Sequence, residues 1–146
     1  MSDRNFSTEL AVQEWLAEQT LLRGLLAQSD TVGDSESWPL RISGMLRELR
    51  WRMDSLFARK SERGYLVDAI DAAPRFARQC ENLEQDHRMY CIEVDSLIEL
   101  LEDTEHFSAG PFQKRLRSFV RRYLNHEHHE TAIMQTALET DLGVGD

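Results

Sequence analysis

The chain has 146 residues, a length that suits one domain, residues 1–146, with a single hydrophobic core. Its formal net charge of −9 argues against nucleic acid and anionic membranes as partners, because both are bound through a basic face. No apolar run approaches the roughly 20 residues of a membrane span, and the start of the chain lacks a signal-peptide pattern. We therefore predict a cytoplasmic protein.

Four long segments rich in Leu, Glu, Arg and Ala lie between sparse glycines and prolines, and none of them alternates with period two. This pattern predicts an all-α protein. The first helix is predicted over residues 8–28, and Ser7 or Thr8 can cap it. Its predicted inward stripe is Val12, Trp15, Gln19, Leu22 and Leu26, and Gln19 is the polar member.

The second predicted helix covers residues 38–63 and has a proline in its first turn, where proline is tolerated. Its inward stripe is apolar as far as Leu56, and Lys60 follows on the same face. The apolar members are Ile42, Leu46 (or Met45), Leu49, Met53 and Leu56. A short helical connection is predicted over residues 65–72.

The third predicted helix covers residues 74–103, and His87 is the only strongly polar member of its stripe. The fourth covers residues 112–140, with Gly143 placed to form a left-handed cap. Its stripe advances by alternating steps of three and four residues and is polar only at its centre. The members of this stripe are Phe112, Leu116, Phe119, Tyr123, His126, Glu130, Ile133 and Ala137.

Four such helices with short loops predict an up-down-up-down four-helix bundle. His87 stands about 16 residues before the end of the third helix and His126 about 15 after the start of the fourth, so both lie roughly 22–24 Å from the shared loop. A core buries a histidine and a carboxylate only if they satisfy each other or share a ligand. His87, His126 and Glu130 therefore form a predicted site for iron, manganese or zinc, with a hydrogen-bonded polar cluster as the alternative.

The remaining reactive side chains predict no further site. Cys80 and Cys91 would lie roughly 16 Å apart on one helix, too far for a mutual disulfide, and are predicted core residues in a reducing compartment. His106, His128 and His129 are predicted to be exposed. No serine or cysteine has a base at a suitable spacing and no Gly-rich phosphate loop is present, so we predict that the protein is not an enzyme.

Each predicted helix also contains a recognisable motif. The motifs are residues 16–22 (LAEQTLL), 55–60 (SLFARK) with 64–66 (GYL), 83–88 (LEQDHR) and 124–130 (LNHEHHE). Together they resemble the hemerythrin-like, HHE cation-binding domain family, and the ending at 141–146 (DLGVGD) is similar to the tail of bacterial members. The resemblance covers nearly the whole chain, and its most specific parts are the third and fourth helices.

This resemblance implies a di-iron centre in the bundle core, held by histidines and carboxylates, which binds dioxygen or senses iron or oxygen. His87 matches the family's histidine of the third helix, and His126 and Glu130 match the pair of the fourth. Three other ligand positions are replaced. The replacing residues are Gln19 and Leu56, which stand where the family has histidines, and Lys60, which stands where it has a glutamate.

These replacements weaken metal binding, because leucine has no lone pair and the lysine ammonium repels a cation. We predict a pseudo-hemerythrin without an intact di-iron centre and, most simply, without a cofactor. One alternative is a single iron, manganese or zinc ion on His87, His126 and Glu130, completed by water. Another is a structural or regulatory bundle that acts through a protein partner or as a homo-oligomer. Without a metal, Lys60 is predicted to pair with Glu130 in the core.

Overall fold

A computed structural model of the chain describes the backbone of residues 2–30, 37–62 and 77–145. Side chains are described between residues 13 and 132, except for 31–36, 58–76, 79–80, 83 and 131. Within these ranges the regular structure consists of four helices, without a strand. The helices are α1 (Ser2–Ser29), α2 (Trp38–Glu62), α3 (Ala77–Glu102) and α4 (Ala109–Gly145).

The four helices form a closed bundle. Each helix packs against the next one in the chain, and α1 also packs against α4. Contacts between neighbouring helices run in reverse order along the chain. Arg47 and Asp54 on α2 contact Glu102 and Cys91 on α3, and Glu18 and Ser29 on α1 contact Tyr123 and Arg117 on α4. Neighbouring helices are therefore antiparallel, which makes the topology up-down-up-down. The predicted all-α four-helix bundle is confirmed.

Three helix ends differ from their predicted positions by three residues or more. α4 begins at Ala109 and not at residue 112, because the proline at position 111 is tolerated in the first turn of a helix. α1 begins at Ser2, six residues early, because no glycine or proline interrupts the chain before Gly24. α4 continues past Gly143, so the predicted cap at that residue is wrong. A single glycine costs a helix only about 1 kcal/mol, which is too little to end it. The predicted helical connection and the predicted start of the third helix lie outside the described residues.

Apolar side chains from all four helices fill the core. The predicted stripes on α2 and α4 are buried wherever their apolar side chains are described. The largest of these fully buried residues are Ile42, Leu46, Leu49, Met53, Leu116, Phe119 and Tyr123. On α1 the buried face is rotated from the predicted one, because Glu18 and Leu25 are buried while Trp15 and Leu26 are partly exposed.

Ion pairs join neighbouring helices at the surface. Arg47 on α2 pairs with Glu102 on α3, and Arg122 on α4 pairs with Glu93 on α3. Exposed pairs of this kind contribute about 0–1 kcal/mol each. Burial of the apolar core therefore supplies most of the stabilisation.

The predictions for the other histidines and for the cysteines can be compared with the structure. His106, His128 and His129 are exposed, as predicted. Cys91 is buried and is not in a disulfide, which was also predicted. The side chain of Cys80 lies outside the described residues. None of the described helices combines the length and the apolar composition that crossing a bilayer requires.

Candidate metal centre

Polar side chains are buried on both α1 and α4, which pack against each other. α1 contributes Glu18 and Gln19, and α4 contributes His126, Glu127 and Glu130. All five belong to helix faces whose other members are mostly apolar, so helical periodicity directs them inward together with the core.

On α4, His126, Glu127 and Glu130 form a compact donor group, which we call the core triad. One ligand atom of each residue lies within 4.8 Å of the other two, and all three residues are buried. Their spacing of i, i+1 and i+4 brings them to one side of the helix. An imidazole nitrogen and two carboxylates at this spacing can bind one transition-metal ion.

Two tyrosines pack around the imidazole of His126. The Tyr123 ring stacks on it with a centroid distance of 6.1 Å and an interplanar angle of 27°, and the Tyr90 ring lies at 5.1 Å and 59°. These rings orient the imidazole and keep water from that side of it. α3 therefore reaches the core triad through Tyr90.

A hydrogen bond connects α4 to the buried carboxylate of α1. The Tyr123 hydroxyl donates to Glu18 Oε2 over 3.3 Å. Burial, and after it the negative charges of Glu127 and Glu18, raise the pKa of Tyr123 well above its usual value. The hydroxyl therefore keeps its proton around neutral pH and remains a donor.

We expect the protein to lose stability as the pH rises above about 10, where a tyrosine of the unfolded chain ionises. Buried Tyr123 keeps its proton there, so the unfolded state binds fewer protons and becomes more favourable relative to the folded state. The contribution of Tyr123 is complete below this pH and is lost as the pH approaches its raised pKa. Urea unfolding from about pH 8 to 11 measures the decline. Tyr123→Phe should make the decline shallower, and an unchanged slope would contradict this role.

His87 belongs to a second donor group, which lies between α2 and α3. Its Nε2 is 3.5 Å from Cys91 Sγ, and the third member of the group is Asp54. Among the described residues, this group and the core triad are the sets of three such donors close enough to share one ion. The structure thus brings together two of the three predicted ligands, His126 and Glu130, and groups His87 with other residues. The joint site of all three stays a prediction.

At two of the ligand positions that the resemblance implies, the described side chains are poor donors for a dinuclear iron centre. Leu56 is buried and offers only hydrocarbon, and Gln19 offers an amide, which is a weak ligand for a transition metal. Lys60 lies on α2, but its side chain and its predicted pairing with Glu130 lie outside the described residues. A single ion needs three protein donors and water, and the core triad provides three.

Two buried carboxylates were not predicted from the sequence. Glu18 has 0% of its surface exposed and Glu127 has 4%. Successive steps of four, three and four residues lead from Glu18 to Leu22, Leu25 and Ser29, and this is the spacing of an inward stripe. This stripe lies beside the predicted stripe that contains Gln19, and its spacing in the sequence is the signal that identifies Glu18 as a core residue.

Comparisons with protein-family models, curated proteins and solved structures give no match to this chain. The resemblance to hemerythrin-like proteins stays a prediction that rests on the motifs of the third and fourth helices.

Proposed function

We propose that this chain is a non-enzymatic, hemerythrin-like bundle that binds one metal ion in its core in place of a di-iron pair. The ligands are His126, Glu127 and Glu130, with water completing the coordination. Iron, manganese and zinc suit a mixed set of imidazole and carboxylate donors. The role is metal binding or metal sensing in the cytoplasm.

The observation that supports this proposal is the burial of three donors whose ligand atoms lie within 4.8 Å of one another. Carboxylates are stable in a core only when positive charge or protons compensate them. One divalent ion would neutralise both carboxylates of the core triad and would also use the imidazole. Glu18, which Tyr123 joins to this region, adds further negative charge that favours a cation.

The chemistry of a single ion differs from that of a pair. An ion with three protein donors keeps an open position, which suits reversible binding of the ion or of a small ligand. It lacks the second iron with which a dinuclear centre divides the electrons transferred to dioxygen. We therefore do not propose that the protein carries dioxygen as a dinuclear iron protein does.

The test is metal analysis of protein purified without a His tag after growth with iron, manganese and zinc available. Wild-type protein should contain at least one metal ion per chain, and His126→Ala should contain one ion fewer, because it loses the core ion. His128→Ala is the matched control, because His128 lies in the same motif but is exposed. Metal that is absent from wild-type protein, or lost equally in both variants, would contradict the proposal.

A second candidate is a metal-free bundle that acts through a protein partner. Large apolar side chains are exposed on the outer faces of α2 and α3. These residues are Leu40, Trp51, Met89 and Ile92. Leu40 and Trp51 are about three helical turns apart and share a face, as do Met89 and Ile92 one turn apart. Wild-type protein without metal would favour this candidate.

A further inference from the structure

Outside the core triad, α2 and α3 share the donor group of Asp54, His87 and Cys91, which we call the α2–α3 group. Cys91 Sγ lies 3.5 Å from His87 Nε2 and 3.9 Å from Asp54 Oδ1. The three ligand atoms all lie within 4.8 Å of one another. His87 and Cys91 are one turn apart on α3, so they share a side of the helix, and Asp54 approaches from α2.

Neighbouring side chains hold these donors in place. The Phe57 ring stacks on His87 with a centroid distance of 4.2 Å and an interplanar angle of 12°. Arg50 pairs with both Asp54 and Asp95. A carboxylate has about four lone-pair positions, so Asp54 can keep its contact with Arg50 and still bind an ion. The Asp54 side chain is 62% exposed while the other two donors are buried, which gives an ion a path from solvent.

A nucleophilic role for Cys91 does not suit this geometry. The group closest to the sulfur on the α2 side is the Asp54 carboxylate, and its negative charge disfavours the thiolate that a nucleophile needs. Burial also raises the pKa of the Cys91 thiol to about 11, and a reactive cysteine has a lowered pKa. A metal ion is a different case, because it displaces the thiol proton as it binds.

We propose that Asp54, His87 and Cys91 bind a Zn²⁺ ion, with water as the fourth ligand. Sulfur, nitrogen and oxygen donors at a four-coordinate position are typical of zinc. When the ion binds, the Cys91 S–H bond breaks, a zinc–sulfur bond forms and the proton leaves to solvent, without electron transfer. This site does not depend on the proposed function, because it shares no residue with the core triad.

Titration of the wild-type protein with Co²⁺, a spectroscopic substitute for Zn²⁺, tests the site. We expect a thiolate-to-cobalt absorption band in the near ultraviolet that saturates at one ion per chain and disappears when Zn²⁺ displaces the cobalt. Cys91→Ala should remove the band and weaken binding at least about 100-fold, because losing a ligand costs more than losing a residue that supports one. Cys80→Ala changes the other cysteine of the chain and should leave the band unchanged.

A pair of aspartate variants keeps the test decisive if Cys91→Ala does not fold. Asp54 and Asp95 are both exposed and both pair with Arg50, but only Asp54 belongs to the α2–α3 group. Asp54→Asn should weaken Co²⁺ binding about tenfold or more, and Asp95→Asn should leave it unchanged. Three results would overturn the proposal: no thiolate band in wild-type protein, a band that survives Cys91→Ala, or equal affinities in the two aspartate variants.

The His126→Ala variant separates this site from the proposed function. It should lose the ion of the core triad and keep the thiolate band. If wild-type protein lacks the thiolate band but contains the core ion, only the zinc site is contradicted. If wild-type protein shows the band but lacks the core ion, only the proposed function is contradicted.

Discussion

Phe119→Ala is expected to lower the free energy of unfolding by about 3–5 kcal/mol. Phe119 is fully buried on α4, and its ring packs against those of Tyr90 and Tyr123 at centroid distances of 6.1 and 5.9 Å. Truncation removes these contacts and leaves a cavity that the packed helices can refill only in part. Urea unfolding followed by circular dichroism measures the loss.

Trp51→Ala is the matched control for this prediction. Trp51 is also a large aromatic residue within a helix, but 64% of its surface is exposed and its ring lies beside the Arg52 guanidinium. Its truncation should change the free energy of unfolding by less than about 0.5 kcal/mol, as surface substitutions usually do. Equal losses of unfolding free energy in the two variants would contradict the burial of Phe119 in the core and the exposure of Trp51 at the surface.

The second large effect is stabilisation by metal. Binding to the folded state alone should raise the free energy of unfolding by about 2.7 kcal/mol at 100 times Kd and by about 4.1 kcal/mol at 1,000 times Kd. Mn²⁺ is the suitable ion, because it prefers oxygen donors and so favours the core triad, with its two carboxylates, over the thiol of the α2–α3 group. The measurement compares urea unfolding in Mn²⁺ with unfolding in a chelator.

Glu130→Gln should abolish the stabilisation by Mn²⁺, because it removes one carboxylate of the core triad. Glu99→Gln changes an exposed glutamate and should leave the stabilisation intact. The sequence hypothesis that Lys60 pairs with Glu130 leads to a different result. Mn²⁺ would then add no stability, and Glu130→Gln would destabilise the metal-free protein by about 3–5 kcal/mol, because a buried ammonium would lose its partner.

The residues of α4 explain how much of the candidate site could be predicted. The stripe from Phe112 to Glu130 is buried as its spacing predicts, including the histidine and the glutamate at its polar centre. This success has a local cause, because positions three and four apart share a face of any helix. The carboxylate of Glu127 was missed because it lies next to the stripe, on a face that is also covered in the bundle.

The position of His87 could not be derived in the same way. Counting residues from the shared loop gives its height along the bundle, but not the direction in which its ring points. That direction depends on how α3 is rotated against α2, where Phe57 stacks on the ring and Cys91 lies beside its Nε2. The i, i+4 spacing of His87 and Cys91 was visible in the sequence, but the approach of Asp54 was not.

By itself, the sequence determined that the chain forms long helices, which side chains of α2 and α4 face the core, and that histidine and carboxylate donors are available there. Helix formation and amphipathicity depend on residues within a few turns of one another, so they can be read along the chain. Only the tertiary structure decided that the donors divide into a core triad and an α2–α3 group, and that Glu18 is buried. The rotation of each helix, and therefore the neighbours that its donors meet, results from the simultaneous packing of all four helices.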